Sequence, residues 1–223
     1  MPYAVPQRIE TERLVLRPYV ATDAEALAAV VPRNMDHLRR YMEWIAFEPQ
    51  TVEQRRAWIA DVNGKWDADT DFTMGIFLQG GEAELVGGTG FHVRTDPDRL
   101  EIGYWIDAGH EGRGLVTEAV AALTRVGLEL AGADLVDIAH AQTNVRSGAI
   151  PSRLGFVREE RARAPLFDAG APVAASRECA DDGAMVPAVT WRASRETLSR
   201  EPLASWPRPL AFDAAGSQIA WPA

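Results

Sequence analysis

The chain of 223 residues carries a single cysteine, Cys179. One thiol excludes an intramolecular disulfide, and with no partner nearby in a polar stretch it is incidental. Histidine is scarce: His37, His92, His110 and His140 stand at no metal-ligand spacing with cysteine or carboxylate, so no metal is expected. Positive charge is in deficit, with 23 Lys+Arg against 32 Asp+Glu and a net charge of −9. Nucleic acid as a main partner would call for a basic face and is excluded. The acidic balance suits a cationic substrate, though plain solubility is the simpler reading. No apolar run is long enough to cross a bilayer, and the opening MPYAVPQRIETERL lacks the apolar core of a signal peptide. A cytoplasmic protein without a membrane partner is expected. There is no internal repeat.

The chain does have enough apolar residues, 47%, for a substantial core. Residues 13–19 alternate as a strand, and 23–31 read as a short helix closed before Pro32. An amphipathic, aromatic-rich stretch follows at 34–49. Thr51 and Gln54 form a capping box, opening a helix with Trp58, Val62 and Trp66 on one face. Strands at 72–78, 85–94 and 99–107, joined by turns at Gly80-Gly81 and Asp96-Pro97-Asp98, make an antiparallel meander. A helix carrying Ala119, Leu123, Val126 and Leu130 on one face ends near Gly132. The strand at 136–141 then runs parallel to 99–107, because a helix crossover joins them. A helix at 144–154, a strand at 156–160, a long loop at 162–187, a last strand at 188–193 and a proline-rich tail complete the chain. The tail's Trp206, Phe212 and Trp221 are expected to dock it or to bind a partner.

The most informative stretch is 104–119, YWIDAGHEGRGLVTEA. A strand runs into a loop with Gly112 and Gly114, and a helix follows at once. Such a loop lets backbone approach an anion closely, and the free N–H groups and dipole of the helix start favour phosphate.

Glu111-Gly112-Arg113-Gly114-Leu115-Val116 with Thr117-Glu118-Ala119 resembles the acyl-CoA loop of GCN5-related N-acetyltransferases. Asn144-Val145-Arg146-Ser147, ending at Leu154-Gly155-Phe156, resembles that family's second signature. His37-Leu38-Arg39 with Trp44 is similar to the branch that acetylates ribosomal-protein N-termini. The resemblance spans about residues 8–198. It implies an α/β (α+β) fold: a single domain whose mixed, mostly antiparallel central sheet, flanked by helices, splays where acyl-CoA lies. It also implies acetyl-CoA as acyl donor. Backbone of Tyr104, Trp105 and Ile106 would meet the pantetheine, Gly112, Arg113, Gly114, Leu115 and Val116 the pyrophosphate, Asn144 the pantetheine, and Ser147 the thioester. Two positions depart from the family pattern. Glu111 stands where Gln or Arg is usual and would repel pyrophosphate unless it points away. Val116 stands where Gly or Ala is usual.

Acetyl transfer to nitrogen needs a neutral amine, because an ammonium has no lone pair. An α-amino group, near pH ~8, needs less help than a lysine near ~10.4. A carboxylate can take the proton, and N–H donors can hold the oxyanion. Glu101, on the strand leading to the splay, is the candidate base. Many family members place a proton-donating Tyr where this chain has Pro151, which cannot donate and is expected to kink or delay the helix. Ser147 is the candidate replacement, or else that helix's N-cap, and His140 is a candidate relay or a structural residue. Tyr41, Trp44, Phe47 and Trp58 are expected to wall the acceptor site or to pack in the core, with Glu43 and Glu48 attracting a cationic amine.

Three readings follow. The first is an N-acetyltransferase acting on a protein N-terminus or a small amine, with its domain at 8–198 and an extension at 199–223 that could complete a homodimer. The second is a non-catalytic acyl-CoA-binding module of the same fold. The third, a dinucleotide binder, fails because the third glycine of G-x-G-x-x-G and the early β-α-β unit are absent.

Overall fold

The computed structural model describes residues 3–80, 84–94, 96, 98–159, 166–168 and 184–222. Cys179, Gly81, Pro97, Glu160 and most of 162–187 lie outside them. Two short strands, β1 (Arg8–Glu10) and β2 (Leu14–Arg17), are followed by helices α1 (Ala24–Arg33) and α2 (Met35–Leu38). A 3-10 turn at Glu43–Phe47 leads to α3 (Val52–Asp67). The capping box at the start of α3 is formed: Gln54 N donates to Thr51 Oγ1 and Thr51 N donates to Gln54 Oε1. The meander is β3 (Asp71–Leu78), β4 (Leu85–Val93) and β5 (Arg99–Ile106). Then come α4 (Leu115–Arg125), extended by a π turn at Val126–Leu130, β6 (Leu135–Ala141) and α5 (Val145–Arg153). The chain ends with β7 (Val157–Arg158), β8 (Leu166–Asp168), β9 (Ala184–Val186), β10 (Ala188–Ala193), α6 (Arg195–Leu198) and β11 (Leu210–Phe212).

Nine strands form one mixed sheet in the order β11-β1-β2-β3-β4-β5-β6-β10-β7. Every neighbouring pair is antiparallel except β5 and β6. That parallel pair is registered only from Arg99↔Leu135 to Glu101↔Asp137. From Ile102 onward the strands part, which opens the sheet at the C-terminal end of β5. The cause lies in the connections: a helix crossover enforces parallel pairing, and β5 and β6 leave toward different helices.

The sheet divides two cores. On one face α4 and its π turn pack through Ala119, Val120, Leu123 and Val126, against Phe91, Leu100 and Ile102. On the other, α1 and α3 pack through Leu27, Val31 and Ile59, around Tyr19 and Phe77. Leu100 and Ile102 therefore face α4, and alternation turns Glu101 and Gly103 toward α3.

The structure departs from the sequence reading at several points, and α1 is one: it runs through Pro32 to Arg33 instead of closing before that proline. The stretch expected to be a loop at 162–187 contributes two strands, β8 and β9, which pair with each other. The tail docks through Trp206 and Trp221 against the α4-side core as expected, and beyond that it joins the sheet, β11 pairing with β1. Strand β10, which the sequence reading takes as the last, inserts between β6 and β7 and is interior in space. Helix α5 does not start late near Ser147; it begins at Val145 and runs through Pro151 to Arg153.

Candidate active site

The loop between β5 and α4 is built on two left-handed residues, Gly112 (φ 71°) and Gly114 (φ 75°). A side chain at either would be strained, which is why glycine stands there. Gly114 is the N-cap of α4, and the first bond into the helix is Glu118 N to Gly114 O. The N–H groups of Leu115, Val116 and Thr117 consequently have no intrahelical acceptor and aim outward at the helix start. The Leu115 side chain is buried behind them, and Val116 is half-buried against the core. The buried carboxylate of Glu118 fixes the loop from the rear. It accepts from Thr11 Oγ1 (2.6 Å), Arg13 N (2.9 Å) and Arg13 Nε (2.6 Å), while Arg13 Nη1 donates to Arg113 O (2.9 Å).

Glu111 stays beside the loop, and its carboxylate is met by neighbours. It pairs with Arg146 of α5 at 2.5 Å and with His37 of α2 at 3.3 Å. Arg113 is exposed and has no ion pair with any described residue. The next anchor is Asp107, which accepts from Arg33 (2.6 Å), Asn34 Nδ2 (2.9 Å) and His110 Nδ1 (3.1 Å). Burial opposes its charge, but the hydrogen bonds from Arg33, Asn34 and His110 outweigh that and hold its carboxyl down at about 2.

Two cavities open here. One, of about 640 Å³, is lined by the glycine loop, the start of α4 and the outer face of α5. The other, of about 720 Å³, lies over the α3 face of the sheet. They share Tyr41, Met42, Tyr104, Trp105, Asn144 and Ser147, the residues around the point where β5 and β6 part. Two openings thus converge on the splay from opposite sides. The segment 39–42 straps this junction, with Tyr41 Oη donating to Thr143 O (3.1 Å) and Arg40 Nε to Asp168 (3.2 Å).

At the junction Asn144 caps α5, its Oδ1 accepting from Ser147 N (3.2 Å). Ser147 is therefore not the cap, and its hydroxyl faces the cavities. Pro151 lies one turn later in α5 and has no N–H to give the Ser147 carbonyl. Tyr104 supplies it: its hydroxyl lies 3.0 Å from both Ser147 O and Ser147 Oγ. Burial pushes the Tyr104 phenol up to about 12, so it keeps its proton and donates.

His140 is not positioned as a proton relay. Its Nδ1 donates to Ala141 O (2.8 Å), its Nε2 accepts from Trp191 Nε1 (3.0 Å), and burial lowers its basicity. Both ring nitrogens are engaged, and Gly148 of α5 packs so closely on the ring that a Cβ would lie 2.5 Å from Nε2. Glu101 is buried on the α3 face and accepts from Arg94 Nη2 (2.8 Å) and Nε (3.1 Å). Trp44 meets Trp105 at 6.1 Å between ring centroids, and Trp58 meets Tyr19 at 5.4 Å. Phe47 is 75% exposed, at the rim of the larger cavity. Glu48 is buried in an ion pair with Arg55 and is not available to a substrate. Sequence reasoning missed Asp71 and His92, which line the same cavity with His92 Nδ1 2.6 Å from Asp71 Oδ2.

A sheet splayed between parallel strands, with a glycine-opened helix start at its mouth, defines an acyl-CoA-type transferase domain. Residues 13–157 match the Acetyltransferase (GNAT) domain, and the chain belongs to that family of acetyltransferases. Bacillus subtilis YdaF, whose name assigns it provisionally to ribosomal N-acetylation, is 30% identical over 165 residues, 70% of this chain and 84% of that protein. The ribosomal-protein-serine acetyltransferase of Escherichia coli is 26% identical over 151 residues, 67% of this chain and 82% of that one. In fold, the chain is similar to RimJ of Mycobacterium smegmatis, solved with CoA-disulfide. The TM-score is 0.68 at 19% identity, covering 92% of this chain and 95% of that chain.

Proposed function

We propose that the protein transfers acetyl from acetyl-CoA to the N-terminal amine of a protein, with a ribosomal protein as the favoured acceptor. The observation that carries this reading is the convergence of two cavities on Tyr104, Asn144 and Ser147. One cavity fits the donor. Its mouth presents the unbonded N–H groups of Leu115, Val116 and Thr117 and the side chain of Arg113 to a pyrophosphate. The backbone of Tyr104, Trp105 and Ile106, unpaired with β6, offers donors and acceptors to the pantetheine. Asn144 keeps its Nδ2 for the same arm. Acetyl-CoA supplies the activated acetyl group when bound.

The other cavity takes the acceptor. Tyr41, Trp44 and Phe47 stand along its entrance, and Glu101, paired with Arg94, lies on its floor. Ser147, steadied by Tyr104, donates a hydrogen bond to the sulfur as it leaves. The likeness to YdaF and to the E. coli enzyme supports a protein acceptor over a small amine. The same kinship supports a cytoplasmic location. A homodimer is part of the proposal, supported by exposed Leu210 on the outermost strand of the sheet.

The test is to incubate the protein with acetyl-CoA and synthetic peptides carrying ribosomal-protein N-termini, alongside small amines. Mass spectrometry reads the acetylated position. Acetylation of a peptide's α-amine supports the reading. Acetylation of small amines alone moves the acceptor class. Binding of acetyl-CoA with no turnover on any amine would establish the non-catalytic module instead.

A further inference from the structure

Asp71, His92 and Glu101 are successive register partners across β3, β4 and β5. Partners in an antiparallel ladder point to one face, so the three side chains gather on the α3 face, in the cavity assigned to the acceptor. Within that row the roles differ. Asp71 holds Nδ1 of His92 at 2.6 Å and takes a second bond from Thr73 Oγ1 at 2.6 Å. Burial raises the Asp71 carboxyl, but its hydrogen bonds from His92 and Thr73 and the nearby Arg94 guanidinium bring it below the usual carboxylate range. An ionised Asp71 accepts, so the proton sits on Nδ1 and the Nε2 lone pair is left facing away from Asp71. That nitrogen leans over Gly103: a Cβ there would lie 2.7 Å from it. Gly103 immediately precedes Tyr104, at the open end of β5. Glu101 is two residues further from the junction and is clasped by Arg94.

We propose that His92, oriented by Asp71, is the group that takes the proton from the acceptor amine. The inference rests on the acetyl-transfer reading and assigns its base. The amine arrives as R–NH3+ and gives one proton to Nε2, which passes it to solvent. The freed lone pair forms a C–N bond to the acetyl carbon, and the C–S bond breaks with its electron pair on sulfur. The second nitrogen proton ends on that sulfur by way of the Ser147 hydroxyl. Base and donor thus stand on opposite faces of the splay, His92 toward α3 and Ser147 on α5. Glu101, held by Arg94, is then not the base. The charged groups lining the cavity with His92 are Asp71 from β3, Arg94 next to β4, Glu101 from β5, Arg55 and Lys65 from α3 and Glu43 from the 3-10 turn, and Gly103 is what leaves the imidazole its room.

The experiment compares the pH profile of kcat/KM for wild type, His92→Gln, Asp71→Asn and Glu101→Gln, with acetyl-CoA affinity measured on each. His92→Gln is expected to lower kcat/KM by about 10²–10⁴-fold and to leave acetyl-CoA binding intact. Its deficit should shrink for a weakly basic acceptor that is neutral at the assay pH. Asp71→Asn should move the acidic limb to lower pH, because losing the carboxylate disfavours the imidazolium. In the free wild-type protein, ¹⁵N shifts of His92 should report the tautomer protonated at Nδ1. A His92→Gln enzyme with the wild-type profile, an acidic limb lost only in Glu101→Gln, or an Nε2-protonated tautomer would each overturn the assignment. A wild-type protein that acetylates no amine would instead contradict the acetyl-transfer reading, and this inference would fall with it.

Discussion

The hydroxyl of Tyr104 lies 3.0 Å from the carbonyl of Ser147, the one carbonyl of α5 that Pro151 cannot serve. A strand residue thereby completes the hydrogen bonding of a helix across the splayed gap. The bond joins the two walls of the site and sets where the Ser147 hydroxyl sits. Removing it should leave a part-buried carbonyl without its partner, at a cost of about 1 kcal/mol. Tyr104→Phe is expected to lower both stability and turnover. Pro151→Ala restores an N–H to Ser147 O, so the stability cost of Tyr104→Phe should fall by about 1 kcal/mol in that background. A double-mutant cycle by denaturant unfolding reads this. Equal costs in both backgrounds would show that Pro151 does not create the need for Tyr104.

Asp107 ties the end of α1, through Arg33 and Asn34, to the loop that enters the phosphate-binding turn. Its carboxyl, held at about 2, lies below the unfolded value of about 3.9. A depressed carboxyl contributes stability that is present above the unfolded value and lost as pH falls through the folded one. Between about pH 4 and pH 2 the fold should lose up to about 2 kcal/mol from this residue, less than the full conversion because Arg33 is half exposed. Asp107→Asn should flatten that part of the stability curve, measured by urea unfolding over the range. An unchanged slope would show that Asp107 carries no such linkage.

The tail bears on stability before assembly. Arg125, buried in α4, donates through Nη2 to Leu203 O (2.8 Å) and Trp206 O (3.2 Å), and β11 extends the sheet from β1. Truncation after Arg200 removes those acceptors, a strand and two packed tryptophans. A loss of about 3 kcal/mol or more is expected, seen as a lower Tm. A truncated chain with wild-type Tm and an altered oligomeric state would show that the tail serves assembly alone.

What could be read from sequence was what is local in sequence. Gly112 and Gly114 were legible because a left-handed backbone leaves few choices of residue. The capping box at Thr51 and the β3-β4-β5 meander follow from neighbours in the chain. The pairing of β11 with β1 joins segments about 200 residues apart through three residues each, and no local pattern announces it. The Asp71–His92 contact comes from strand register, and the Tyr104–Ser147 contact from a helix lying over a strand. Glu111 read as an obstacle to phosphate because its partners, His37 and Arg146, come from two other helices. His140 read as a relay because its second partner, Trp191, arrives on β10.

Gly114→Asp places a side chain on a left-handed N-cap and a negative charge at the phosphate mouth. Isothermal titration of wild type and this variant with acetyl-CoA, and with NAD as control, tests the assignment of the glycine-loop cavity most directly. Saturable binding of acetyl-CoA by the wild type, no binding of NAD, and loss of acetyl-CoA binding in Gly114→Asp are the expected results. Undiminished acetyl-CoA binding by Gly114→Asp, or none by the wild type, would contradict the site described.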